Sequence, residues 1–297
     1  MSVTDSTAST PRALARGAGR RRRRLKWNER HIDGRRVRYG TAGQGPPFVF
    51  LHGWGLRDRT YERALVELAG RGVRVIAPSL PGFGGSDALP RGSFSLEGYA
   101  DFVAEFTAEL GIEEPIRLGG HSFGGGVATL MAHRHPDKVK LLVLVNSIGG
   151  AIWQPDGDGT TGRSLASRPL WDWGIHFPRD MASNWDVLPV VMHDASRNLL
   201  RDPVAFWRVA KLARNADLRS ELRELAERQL PVVILWGDED RILPPPSVAA
   251  MAEAIGDEPH VVEGSHSWML TDPKRFGEIM TNVVGLPDAI EALGDRR

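Results

Sequence analysis

The feature that limits the fold most is a set of short, largely apolar runs with little alternation, Phe48–Leu51, Val73–Ala77, Leu141–Val145 and Val232–Trp236, with Ile116-Arg117-Leu118-Gly119-Gly120 as a further strand. A strand with one wet face alternates apolar and polar side chains, whereas a strand covered on both faces is apolar nearly throughout. Helical stretches separate these runs. Residues 60–69 place Leu65, Leu68 and Ala69 on one side, and residues 95–111 place Phe102, Phe106 and Leu110 at i, i+4 and i+8. Another helix starts near Phe123, and the pattern closes with a helix around 246–255, a short strand at 259–262 and a helix at 273–284. Doubly buried strands alternating with helices predict an α/β fold, a mostly parallel central sheet with helices on both faces. His31–Tyr39 adds a hairpin with Asp33-Gly34 as its turn.

The rhythm breaks over residues 148–228, which hold no convincing buried strand but carry Trp153, Trp171, Trp173, Trp185 and Trp207. This region reads as a helical cap inserted over one end of the sheet. The expected organisation is a disordered basic tail at 1–26, a core at 27–147 and 229–297, and the cap or lid at 148–228. A net charge of +1 hides this division. The tail holds eight basic groups against Asp5 alone, or +7, while the remaining 30 basic and 36 acidic groups give −6. An arginine run can contact nucleic acid or anionic lipid, but one short run is weak evidence, and no nucleic-acid partner is expected. No apolar segment follows Arg20–Arg24 as a secretory leader requires, and no run of 18 apolar residues exists to span a membrane. The expected location is the cytoplasm. The absence of cysteine excludes disulfides, zinc-thiolate sites and a cysteine nucleophile. No cluster of metal ligands appears, so no cofactor is expected.

Chemistry concentrates in three places. Gly120-His121-Ser122-Phe123-Gly124 lies between a strand and a helix. A serine at such a turn is held in a strained conformation with its hydroxyl exposed, and small neighbours let strand and helix approach. The N–H of Phe123, at the helix N-terminus, is placed to stabilise developing negative charge. A nucleophilic serine needs a base, and the base needs an orienting acid. Trp236–Pro244 follows a strand and offers Asp238, Glu239 and Asp240. Gly264-Ser265-His266-Ser267-Trp268 follows the next strand and offers His266. The order serine, acid, histidine is that of a nucleophile-elbow hydrolase.

With His52-Gly53-Trp54-Gly55 and the Pro81–Ser86 loop, these segments resemble the α/β-hydrolase superfamily across about residues 28–286. The resemblance implies the α/β-hydrolase fold with an oxyanion hole formed by the Trp54 and Phe123 amides. The family's acid loop runs Gly-x-x-Asp-x-x-x-Pro, which Gly237–Pro244 matches with Asp240 as the acid. Its alternative acid position follows the strand before the insertion, where this chain has Asn146-Ser147. The details also resemble the epoxide hydrolase and dehalogenase branch. That branch uses an aspartate nucleophile where this chain has Ser122, so epoxide and haloalkane hydrolysis are disfavoured.

The expected catalytic set is Ser122, Asp240 and His266. The expected activity is that of a serine esterase acting on a small, apolar acyl compound through an acyl-enzyme. A hydrolase of carbon–carbon bonds in ring-cleavage products and a non-catalytic binding module are the alternatives. His121 is expected to pack behind the elbow, and His52 to support the oxyanion loop. His133 and His135 should sit at a helix end, and His176 and His193 at surface or packing positions. The insertion's tryptophans can line a pocket or build a small core, and the sequence leaves both open.

Overall fold

Asp33 and Gly34 take positive φ, 47° and 74°, as both central residues of a type I′ turn must. They join β1 (Lys26–Ile32) to β2 (Arg35–Ala42) in an antiparallel hairpin. The computed structural model describes residues 24–153, 163–168, 188–282 and 284–285. The hairpin is longer than the sequence pattern indicates. Lys26 pairs with Thr41, and Leu25 is buried with its N–H donated to Glu62 Oε1 at 3.2 Å. Leu25 and Lys26 therefore belong to the folded body rather than the tail. The polar residues of this mostly exposed edge strand hide it from a hydrophobicity reading.

The remaining strands are β3 (Pro47–Leu51), β4 (Arg74–Pro78), β5 (Ile116–His121), β6 (Val139–Val145), β7 (Ile152–Trp153), β8 (Arg163–Ser164), β9 (Val232–Gly237) and β10 (His260–Val262). Eight form one sheet in the order β1-β2-β4-β3-β5-β6-β9-β10. It is antiparallel at the β1-β2-β4 end and parallel from β4 onward. The helices are α1 (Glu62–Ala69), α2 (Leu96–Glu109), α3 (Phe123–Arg134), α4 (Leu188–Arg201), α5 (Pro203–Asn215), α6 (Arg219–Glu227), α7 (Pro245–Ile255), α8 (Trp268–Thr271) and α9 (Pro273–Asn282).

The unbroken apolar runs are explained by two separate cores. Val49, Leu51, Leu142 and Leu144 pack with Tyr99 and Phe102 of α2, Val127 and Met131 of α3, and Met251 of α7. Their neighbours Phe48, Phe50, Leu141, Val143 and Val145 pack with Leu65 and Leu68 of α1 and Phe276 and Met280 of α9. β3 and β6 thus feed both cores with alternate residues, so neither of their faces can be polar.

The topology also selects the site. The chain leaves central β3 for β4 on one side and returns to β5 on the other. Open α/β sheets bind ligands outside the carboxyl ends of strands at such a switch point. Ser122 follows β5 there, beside the His52–Leu56 loop that follows β3. The inserted helices α4 to α6 fall between β8 and β9 in the chain. The short β7-β8 ladder is not buried.

Candidate active site

Ser122 joins β5 to α3 with φ 53° and ψ −118°. A side chain in this region costs about 1–3 kcal/mol and persists only where the surroundings impose it. Here they do. A Cβ on Gly124 would overlap the carbonyl oxygens of Leu51 and His52, and a Cβ on Gly120 would overlap the backbone of Gly124. Glycine at both positions lets β5, α3 and the end of β3 converge. The Ser122 carbonyl accepts the N–H groups of Gly125 at 3.0 Å and Ile148 at 3.3 Å, which fixes the turn from below.

Asp240, on the turn after β9, is 3% exposed. Its Oδ1 accepts the N–H groups of Ile242 at 2.8 Å and Leu243 at 2.9 Å. Its Oδ2 accepts from His266 Nδ1 at 2.8 Å and from Asn146 Nδ2 at 2.7 Å. A carboxylate facing donors on both oxygens acts as an acceptor, so His266 Nδ1 carries a proton, and in the neutral imidazole Nε2 keeps its lone pair. Asp238 instead accepts the Gly264 N–H at 3.0 Å and braces the histidine loop. Asn146, which the sequence marks only as a place lacking a carboxylate, contributes as well. Its Oδ1 accepts the Trp268 indole N–H at 2.8 Å, which turns its NH₂ toward Asp240. The one available signal was its position directly after β6.

Beneath Ser122 runs a buried chain of hydrogen bonds. The His266 carbonyl can only accept, so His121 Nε2 donates to it at 2.9 Å. His121 Nδ1 is therefore an acceptor and receives a hydrogen bond from the Tyr61 hydroxyl at 2.7 Å. The Tyr61 oxygen in turn accepts the Gly53 N–H at 3.0 Å. The His121 and His266 rings lie 4.8 Å apart, so His121 does more than pack behind the elbow. His52 fixes the other face of the loop, donating from Nδ1 to the Gly53 carbonyl at 2.9 Å and accepting the Leu80 N–H at Nε2, 2.8 Å away. Because the peptide is trans and planar, holding the Gly53 carbonyl also aims the Trp54 N–H.

Both histidines are kept neutral. Burial lowers the pKa of His52 to about 4 and, with the nearby His266, that of His121 to about 3. An unfolded histidine takes up its proton near pH 6.5. Below that pH the unfolded chain binds protons that the folded chain refuses, so this stability is present above pH 6.5 and lost as pH falls toward 4. Asp58 has the opposite sign. Burial raises its pKa to about 7, so it favours the fold increasingly as pH falls from 7 toward 4. Two histidines against one carboxyl leave these buried groups a net loss of stability as pH falls from about 6 to about 4.5. Urea unfolding across that range should show stability falling with pH, and a flat or rising profile would contradict it.

The sequence that builds this geometry matches a known family. The profile of the Alpha/beta hydrolase family aligns with residues 48–279. The chain belongs to the alpha/beta hydrolase family. A protein of Mycobacterium phage D29 carrying a non-heme haloperoxidase name is 31% identical over 84% of the chain and 91% of its own length. The pimeloyl-[acyl-carrier protein] methyl ester esterase of Aeromonas hydrophila is 29% identical over 82% of this chain and 97% of its own. Among solved structures, a thermophilic esterase from Thermogutta terrifontis superposes with a TM-score of 0.67 at 24% identity, over 87% of this chain and 98% of that one. That likeness concerns the fold.

Other residues of this alpha/beta hydrolase are occupied structurally. Ser79, between β4 and the Pro81–Ser86 loop, donates to the buried Asp58 carboxyl at 2.7 Å. His133 pairs with Glu224 and His135 with Asp101 at the C-terminal end of α3, as the sequence indicates. His193 is half exposed beside Asp194. Trp236 donates its indole N–H to the Leu243 carbonyl at 3.3 Å. With Trp268 on Asn146, two tryptophans near the site therefore brace the acid loop. Trp207 is 60% exposed. Trp171, Trp173, Trp185 and His176 lie outside the described residues. Among the described residues no group of His, Asp and Glu is placed to hold a metal ion, and no helix is long and apolar enough to cross a membrane.

Proposed function

We propose that this hydrolase cleaves a carboxylic ester through an acyl-enzyme on Ser122, with His266 as base and Asp240 as its orienting acid. The observation that carries the reading is the buried Asp240–His266 pair, 2.8 Å apart, at the same sheet edge as a serine held at φ 53°. The esterase names among its relatives support the same chemistry.

His266 Nε2 takes the Ser122 proton as Oγ attacks the substrate carbonyl carbon. The resulting oxyanion accepts the Trp54 and Phe123 N–H groups, and the dipole of α3 adds to their effect. Asp240 stabilises the imidazolium while it exists. The carbon–oxygen bond breaks, and the alcohol leaves with the proton from His266. Water then repeats the cycle on the acyl-serine and releases the acid. Hydrogen peroxide in place of water would give a peracid, which agrees with the haloperoxidase name of the phage relative. Helices α4 and α5 act as the cap over this site, within the insertion 148–228.

A p-nitrophenyl ester series of increasing acyl length tests the proposal. The expected result is saturable turnover with a rapid initial release of about one p-nitrophenol per enzyme wherever deacylation is slower. Failure on every ester, with turnover of a vinylogous diketone, would replace it with carbon–carbon hydrolysis. Failure on both would leave a binding module.

A further inference from the structure

Asn198 lies on α4, far from Ser122 in sequence, and is 5% exposed. Its Nδ2 donates to the Gly55 carbonyl at 2.9 Å and the Leu56 carbonyl at 3.2 Å. Its Oδ1 accepts the Gly84 N–H at 3.3 Å. One inserted side chain thus ties together the loop after β3 and the loop after β4. A surface amide facing water would have no need of three backbone partners. Buried, it leaves those backbone groups unsatisfied if removed.

The held segment is the one proposed to supply the oxyanion donor. The Leu56 N–H closes a turn onto the Gly53 carbonyl at 3.3 Å, and His52 holds the same carbonyl from the core side. The Trp54 N–H shares that peptide unit. The Trp54 side chain is fixed from the cap as well, its indole N–H donated to the Phe206 carbonyl at 2.7 Å and its ring 4.6 Å from the Phe206 ring. Gly55 has φ 74°, and a Cβ there would meet the Phe206 ring at 3.4 Å. Two residues further on, Arg57 forms an ion pair with buried Asp194 of α4, Nε to Oδ1 2.8 Å. The core fixes one side of the turn and the insertion fixes the other.

We infer that Asn198 is a positioning residue for the oxyanion hole: by holding the Gly55 and Leu56 carbonyls it keeps the Gly53–Leu56 turn closed and the Trp54 N–H aimed at the reacting carbonyl. The inference rests on the serine-hydrolase reading above. It makes the cap a working part of the transition-state site, where a simple cover would act only on substrate entry. A donor that drifts by a fraction of an ångström loses stabilisation that only the transition state uses, so kcat falls while KM stays.

The test compares wild type with Asn198→Asp, which keeps the acceptor for Gly84 and removes both donors, and with Asn198→Ser, which shortens the reach without adding charge. Near-UV circular dichroism establishes which variants are folded. A trifluoromethyl ketone shaped like the best ester substrate reports oxyanion stabilisation separately from ground-state binding. In a folded variant kcat should fall about 10- to 100-fold, the inhibition constant of the ketone should rise in parallel, and KM should stay within about threefold. Unchanged kcat in either folded variant, or a KM rising together with the inhibition constant, would overturn the role of Asn198. A wild type that the ketone fails to inhibit would instead sink the serine-hydrolase reading.

Discussion

Ser122→Ala lowers kcat at least about 10³-fold while leaving the protein folded. The two halves of this expectation have separate causes. The hydroxyl is the atom that bonds the acyl group, and alanine supplies no substitute. The fold does not depend on it. The Ser122 carbonyl, held by Gly125 and Ile148, and the glycines flanking the elbow are unchanged by the substitution. Alanine bears the same backbone strain at φ 53° as serine. The melting temperature should therefore stay close to wild type. A steady-state rate that survives the change would remove Ser122 from the mechanism, and a collapsed melting temperature would show that the elbow needs the hydroxyl.

Asp240→Asn should be as damaging, on the order of 10⁴-fold in kcat, although the two side chains have nearly the same shape. The reason lies in the four donors around the carboxylate. Ile242 and Leu243 N–H groups face one oxygen, and His266 and Asn146 face the other. An amide must turn its NH₂ toward one pair. Turned toward His266, it donates to Nδ1, moves the imidazole proton to Nε2 and leaves no lone pair for the Ser122 proton. It also sets two NH₂ groups against each other, because the Trp268 indole prevents Asn146 from flipping. Turned the other way, it faces two backbone N–H groups that then lose their acceptor. Kinetics of the variant between pH 6 and 9 check this. A kcat within tenfold of wild type would mean that Asp240 does not set the imidazole tautomer.

Much of this arrangement is legible in the chain. Doubly covered strands announce a parallel sheet because each strand must feed two cores, as Leu142 and Val143 do. The Asp33-Gly34 turn and the Gly120–Gly124 elbow are readable because local backbone geometry admits few other residues. The supporting residues are not readable in this way. Asn146 meets Asp240 across 94 positions, Asn198 meets Gly55 across 143, and Tyr61 meets His121 across 60. Such pairs follow from strand order and leave no periodic trace. Asp58 shows the same limit. Its buried carboxyl meets Ser79 across 21 positions. The start of β1 is missed for a simpler reason. Its mostly exposed strand merges with the basic run before it, and burial of Leu25 becomes evident only once β2 and α1 are in place.

The assignment of Ser122 as nucleophile is tested most directly by treating the purified protein with a fluorophosphonate and mapping the adduct by mass spectrometry. One phosphonyl group on the peptide containing Ser122 is expected. It should be absent in Ser122→Ala and form far more slowly in Asp240→Asn. No adduct on a protein that hydrolyses esters, or an adduct on another residue, would contradict the assignment.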